Sequence, residues 1–196
     1  MKNLKKYLLS ACALSALICS PVHADIGSNP DWYLGLSGDL TWLRHSDTGG
    51  GGNIALGRAF QTGSFGDFRL EAEAGYHETS GSHYYSYMGN AYYDFTGLAP
   101  SMPWKLTPYI GAGIGDLTAH LDESDSSGSY NVHGNVFAYQ FMAGVNLNVD
   151  TIPNVDWSLG YRHVGSSDVD GTNNVGAGVS DRVISDSIEL GARFHF

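Results

Sequence analysis

Three features of the 196-residue chain predict an all-β, eight-stranded antiparallel up-and-down transmembrane β-barrel. Apolar and polar residues alternate through eight segments. The connections between those segments alternate between short and long. The last segment, ending at Phe196, is apolar at every second place. Successive side chains on a strand point to opposite faces, so one face can meet lipid while the other lines a packed lumen.

The start of the chain reads as a sorting signal. Lys2, Lys5 and Lys6 precede an apolar run from Tyr7 to Ile18, and Val22-His23-Ala24 follows. A positive start, a short apolar centre and a small-x-Ala end form the pattern of a cleaved secretory peptide, and the run is too short for a membrane helix. Residues 1–24 are therefore expected to leave after Ala24, and residues 25–196 to form one barrel domain. Cys19 would suit a lipoprotein signal only if a small residue preceded it, and Ile18 is not small. Cys12 and Cys19 both lie in the leader, so the mature domain is expected to have no disulfide and no thiol chemistry.

Ten basic residues face twenty acidic ones, and the three leader lysines leave with the signal. The mature surface is thus strongly acidic, which argues against a nucleic-acid partner and suits a solvated face that meets cations or basic partners. After residue 24 no run approaches the length of a membrane helix, but barrel strands do not need one.

The strands follow in order. In Trp32–Arg44, Trp32, Leu34, Leu36, Leu40 and Trp42 alternate with Tyr33, Ser37, Asp39 and Thr41. Asn53–Phe60 turns Ile54, Leu56 and Phe60 outward, with Arg58 placed to snorkel. Phe68, Leu70, Ala72, Ala74 and Tyr76 oppose Arg69, Glu71 and Glu73. Tyr84–Thr96 turns Tyr85, Tyr87, Ala91, Tyr93 and Phe95 outward. Thr107–His120 does the same with Ile110, Ala112 and Ile114, and Asp116 breaks that parity, so a bulge is expected there. Phe137–Val149, Val155–Arg162 and Ile184–Phe196 complete the set, the last closing the barrel against Trp32–Arg44. Gln61–Phe65, Gly97–Leu106 and Asp150–Asn154 read as periplasmic turns. His45–Gly52, Thr79–His83, Leu121–Gly134 and Gly165–Val183 read as outer loops. An even strand count puts both termini at one end, expected to be periplasmic. Aromatics gather near both ends of the strands, as two interfacial belts would. Trp32, Phe60, Phe68, Phe95, Trp104, Trp157 and Phe194 form one belt, and Trp42, Tyr76, Tyr84, Tyr85, Tyr87, Phe137 and Tyr139 the other. A soluble β-sandwich or lipocalin-like barrel would show the same period with its apolar face inward. The opposed charges and glycines on the polar face, and the C-terminal pattern, favour the membrane.

The stretch Ile188–Phe196 looks like the C-terminal signal read by the outer-membrane assembly machinery, with Phe194 and Phe196 as its anchors. A free apolar strand is a natural template for another sheet edge. Phe68–Tyr76, Pro108–Gly115 and Leu159–His163 resemble the eight-stranded outer-membrane families of opacity proteins, surface antigens and OmpA-type transmembrane domains. That resemblance implies an adhesin, a membrane-tethering structural protein or a narrow pore. With no peptidoglycan-binding domain after Phe196, two-domain tethering is not expected.

Four constellations could carry function. Asp39, Arg69, Glu71, Glu73, Arg162, Glu189 and Arg193 are expected to form a lumen charge network that sets register and shuts the barrel, since unpaired buried charge costs several kcal/mol. The alternative use of those charges is a gated pore. His45, His77, His83, His120, His133 and His163 fall near the outer strand ends and could form a pH-responsive or metal-binding rim. The lack of an H-x-x-H or H-x-x-x-H spacing favours plain polar residues, and no metal or cofactor is expected. The acidic loops, with Asp122, Glu123, Asp125, Asp168, Asp170 and Asp181, read as solvated surface that could bridge cations to lipopolysaccharide. Finally, barrel lipid A deacylases show a His-x-Ser pair near the end of the seventh strand. Here His163-Val164-Gly165-Ser166-Ser167 puts the serine one place late and on the opposite face, with Asp181 or Asp186 as candidate acids. The expectation is a non-enzymatic integral protein of the bacterial outer membrane. Its outer loops would meet lipopolysaccharide and a host or envelope protein. A narrow pore and a lipid A-modifying enzyme are the alternatives.

Overall fold

The computed structural model describes residues 31–43, 48–79, 82–101, 106–125, 128–148, 154–167, 169–172 and 178–196. The expected leader, its cleavage point at Ala24, His45 and Trp104 lie outside them. Eight antiparallel strands close into a barrel: β1 (Asp31–Leu43), β2 (Thr48–Gln61), β3 (Asp67–Thr79), β4 (Ser82–Asp94), β5 (Thr107–Asp125), β6 (Gly128–Asn148), β7 (Val155–Ser166) and β10 (Ile184–His195). Each pairs with its chain neighbour, except that β10 also pairs with β1. Tyr33 lies opposite His195 and Leu43 opposite Ser185 in that seam. Phe196 N–H donates to the Trp32 carbonyl at 2.9 Å, which fastens the last residue to the first strand. Two short strands, β8 (Val169–Thr172) and β9 (Gly178–Asp181), pair separately, and β8 runs beside β6.

The faces are inverted relative to a water-soluble protein. Leu40 and Leu190 are each 60% exposed, whereas Arg162 is 2% and Arg69 3% exposed. In water the reverse ordering is the rule, so the exposed apolar wall belongs against lipid. Trp32, Arg58 and Phe60 cluster at the end that carries the termini, with the Arg58 guanidinium 5.5 Å and 5.1 Å from the two ring centres.

Three details differ from the sequence reading. First, most of the expected outer loops are strand. β2 begins at Thr48, β3 and β4 run to Thr79 and from Ser82, and β5 and β6 run to Asp125 and from Gly128. Ladder hydrogen bonds come from the backbone, so segments of Gly, Ser and Asp can pair when the adjoining strand supplies the partner groups. Gly51 illustrates the benefit, because the His77 ring occupies the space a Cβ there would need. Second, there is no bulge at Asp116. The register runs unbroken through Tyr87–Asp116–Phe137, and Asp116 keeps an outward place. The parity change is chemical, since the next residue, Leu117, is fully buried in the lumen. Third, Tyr84 does not belong to the outer aromatic belt. It faces inward, buried, and its hydroxyl lies 3.3 Å from Ser185 Oγ.

Leu117 and Tyr84 belong to an apolar cluster with Met88, Ala138, Val164 and Val183. This plug fills the lumen at the end away from the termini. Val183 enters it from the connection that follows β9, just before β10. Leu117→Ala is expected to cost about 2–5 kcal/mol, because the lumen cannot collapse around the hole. Ile114→Ala, on the lipid face, should cost less because lipid refills the space. Denaturant unfolding followed by the mobility shift between folded and unfolded barrel checks both.

Candidate functional site

The inward faces of the strands build a polar column below the plug. At the terminal end, Asp156 accepts from His195 Nε2 at 2.9 Å and from Arg193 Nη2 at 3.3 Å. Above it, Arg69 bridges Glu71, at 2.8 Å, and Asp94. Tyr33 donates to Glu71 at 2.6 Å, Asn146 donates to Asp94 at 2.9 Å, and the Arg69 guanidinium lies 4.4 Å from the Tyr92 ring centre. At the waist, Arg162 forms a two-bond fork with Glu73 and reaches Glu189 at 2.8 Å and Gln140 Oε1 at 2.9 Å. Gln140 in turn donates to Asn90 at 2.7 Å. Nearest the plug, Asp39 contacts His77 Nε2 at 2.9 Å and accepts from Thr41, and the His77 ring stacks on Tyr84 with 4.7 Å between centres.

All seven sequence-named charges therefore line the lumen, and six of them are buried, with Glu189 partly so. Arg69 joins Glu71, and Arg162 joins Glu73 and Glu189. Asp39 and Arg193 use partners that the sequence reading left out, His77 and Asp156. Asp94 and His195 were also missed, although both sit at inward positions of their strands. His77 was placed on the outer rim, yet it is inside the barrel and 3% exposed. Between the Arg69 and Arg162 layers lies a cavity of about 50 Å³, bounded by Glu71, Glu73, Tyr92, Glu189 and Arg193. That is room for a few water molecules, not a solute path.

At the rim of the plugged end, on the lipid-facing side, His163 Nδ1 lies 2.7 Å from Asp186 Oδ1, and Tyr161 donates to the same oxygen. The histidine and its acid are thus together, as the Asp186 alternative anticipated. The serine is not. Ser166 is buried, donates to the Ser167 carbonyl at 2.9 Å and accepts from Val183 N–H at 3.0 Å. Gly165 holds the outward place two residues after His163, and the Tyr139 ring covers the space where a side chain would stand. His83 lies 6.2 Å and 6.1 Å from the Tyr76 and Tyr85 ring centres. His120 and His133 are described by backbone alone. Among the described side chains, no three His, Cys, Asp or Glu residues gather as a metal-ligand set.

The model of the outer membrane protein beta-barrel domain family matches residues 10–182, and the chain belongs to that family. It is accordingly an integral protein of the bacterial outer membrane. Two solved barrels show the same fold. Neisserial surface protein A, NspA, shares 20% identity at a TM-score of 0.58, the match covering 84% of this chain and 97% of that one. The outer membrane enzyme PagL shares 21% identity at a TM-score of 0.53, covering 80% and 97%. No curated protein matches the sequence.

Arg162→Met is expected to destabilise the barrel by about 3–5 kcal/mol, since it leaves Glu73 buried without its cation. Adding Glu73→Gln should recover part of that loss. A double-mutant cycle on unfolding free energies measures the coupling.

Proposed function

We propose that the protein is a non-enzymatic surface protein whose recognition elements are the two ribbons beyond the barrel wall, β5–β6 and β8–β9. The observation that carries this reading is the geometry of β5 and β6. Pairing with β4 ends at Leu121, and pairing with β7 ends at Ala138. β5 therefore continues four residues beyond the end of its pairing with β4, about 13 Å, and β6 continues ten residues beyond the end of its pairing with β7, about 33 Å, with β8 running beside it. A paired ribbon on a rigid barrel presents side chains in fixed register, which favours binding over a solvated loop. Its partner would be a host or envelope protein, with lipopolysaccharide around its base. The termini would lie in the periplasm, and the assembly machinery would recognise the closing strand through Phe194 and Phe196.

Two observations favour this reading over its alternatives. The ionic column and the apolar plug both stand across the route a solute would take, against a pore. The serine that follows His163 on β7 is not placed beside it, against an acyl hydrolase. Ser166 is engaged inside the barrel, and Ser167 lies four places along the chain, about 13 Å away.

Planar-bilayer recordings are expected to show no steady conductance steps, and reproducible single-channel steps would reinstate the pore. Shortening the first ribbon by joining Leu121 to Val132, which are register partners, through an Asn-Gly turn should leave the barrel folded and abolish capture of host or envelope components. Equal capture by the full-length and shortened proteins would remove the ribbon from recognition. The second ribbon is best cut between Ser167 and Arg182, because Val183 belongs to the plug.

A further inference from the structure

The basic residues are unevenly placed. Of the ten, Lys2, Lys5 and Lys6 precede residue 24 and seven follow it. Arg69, Arg162 and Arg193 turn into the lumen, where each contacts a carboxylate. Arg44, Lys105 and Arg182 fall between the strand ranges. Arg58 on β2 is thus, among the described residues, the cation that a barrel strand turns outward. It shares the parity of Ile54 and Leu56, which are 50% and 47% exposed on the lipid wall. Its register partners are Trp32 on β1 and Leu70 on β3.

The surroundings of Arg58 are aromatic and supply no counter-charge. Its guanidinium lies 5.5 Å from the Trp32 ring centre and 5.1 Å from that of Phe60, both within cation–π range. Phe60 stands opposite Phe68, whose ring is 6.2 Å from Tyr93. Among the described residues no carboxylate pairs with Arg58, and its Nε is enclosed without a hydrogen-bond partner. The barrel therefore leaves a positive charge and its N–H donors unmatched. Height explains why this is tolerated. Trp32 is the second residue of β1 and Phe60 the last but one of β2, so the cluster stands at the strand ends beside the termini. An arginine on the lipid face is costly at the bilayer midplane and nearly free at the interface, where aromatic rings also gather.

We infer that Arg58, Trp32 and Phe60 form a site for the phosphate group of a membrane lipid, in the leaflet at the end that carries the termini. A guanidinium offers a planar fork of N–H donors that matches two phosphate oxygens. The two rings hold the fork at the head-group level, and Leu56 and Leu70 beside it on the wall meet the acyl chains of the same lipid. The site is separate from the ribbons, which extend from the opposite end of the barrel.

The test is native mass spectrometry of the folded barrel released from detergent micelles. Phosphatidylglycerol, lipid A, diacylglycerol and inorganic phosphate are added in separate experiments. The wild type is expected to retain a phosphate-bearing lipid and to retain diacylglycerol and inorganic phosphate far less. Whichever of phosphatidylglycerol and lipid A is held better is the source of the phosphate. Arg58→Leu should weaken retention of that lipid at least about fivefold, the effect of one cation at an anionic membrane surface. Leucine suits the lipid wall, and the mobility shift of the folded barrel confirms that the variant is intact. If it does not fold, Arg58→Gln decides by the same criterion. Arg182→Leu, which removes a cation outside the strands, should bind as wild type does. Equal retention of diacylglycerol, comparable binding of inorganic phosphate alone, undiminished retention in the intact Arg58 variant, or an equal loss in Arg182→Leu would overturn the site.

Discussion

The fork between Arg162 and Glu73 ties one side of the barrel to the other. In the closed order of strands, β7 and β3 are four places apart in either direction, so this pair spans the full width of the lumen. The other ionic contacts of the column lie within one strand, as Arg69 to Glu71, or join strands that are adjacent or two apart, as Arg69 to Asp94, His77 to Asp39 and Arg193 to Asp156. The diametrical pair fixes the waist, and the shorter contacts pack above and below it. An eight-stranded barrel has room for this and little else. The ion pairs need not add net stability over an apolar filling. What they determine is register, because a slip of β3 by one residue would turn Glu73 toward lipid and leave Arg162 with Glu189 as its remaining carboxylate.

Closure of the lumen divides the labour along the molecule. The wall meets lipid, the column sets width and register, and the plug of Tyr84, Met88, Leu117, Ala138, Val164 and Val183 stops the end away from the termini. Of these regions, the ribbons past the plug are the ones that extend beyond the barrel wall. Function, on this reading, is a property of paired backbone projecting from the wall, not of the channel that a barrel could have enclosed.

Much of this was legible from alternation alone. The parity of Trp32–Trp42 against Ile188–Phe196 is enough to specify the closing seam, and the charges on the opposite faces specify the column. The missed column members have simple causes. Asp94 lies at an inward place on a strand whose tyrosines draw attention outward, and His77 lies two residues past Gly75 on the face of Arg69, Glu71 and Glu73. The ribbons were harder to see. Asp122–Asp125 and Gly128–Asn131 have turn-like composition, and pairing between them depends on backbone groups that composition does not report. Cross-strand neighbours are less visible still. His83, His120 and His133 are neighbours only through the register of three strands, which no local spacing encodes.

The diametrical tie also has a consequence for the order of assembly. Glu73 and Arg162 are separated by 89 residues, with four strand pairings between them. A partly formed sheet containing β3 but not yet β7 holds a carboxylate on its concave side with no cation opposite. Arg162 meets Glu73 across the lumen only when the sheet curls round to bring β7 opposite β3. The late strands thereby provide the counter-charge for the early ones. Half-inserted sheets are left at a disadvantage that disappears in a single step at closure, so the tie acts as a latch on the completed barrel.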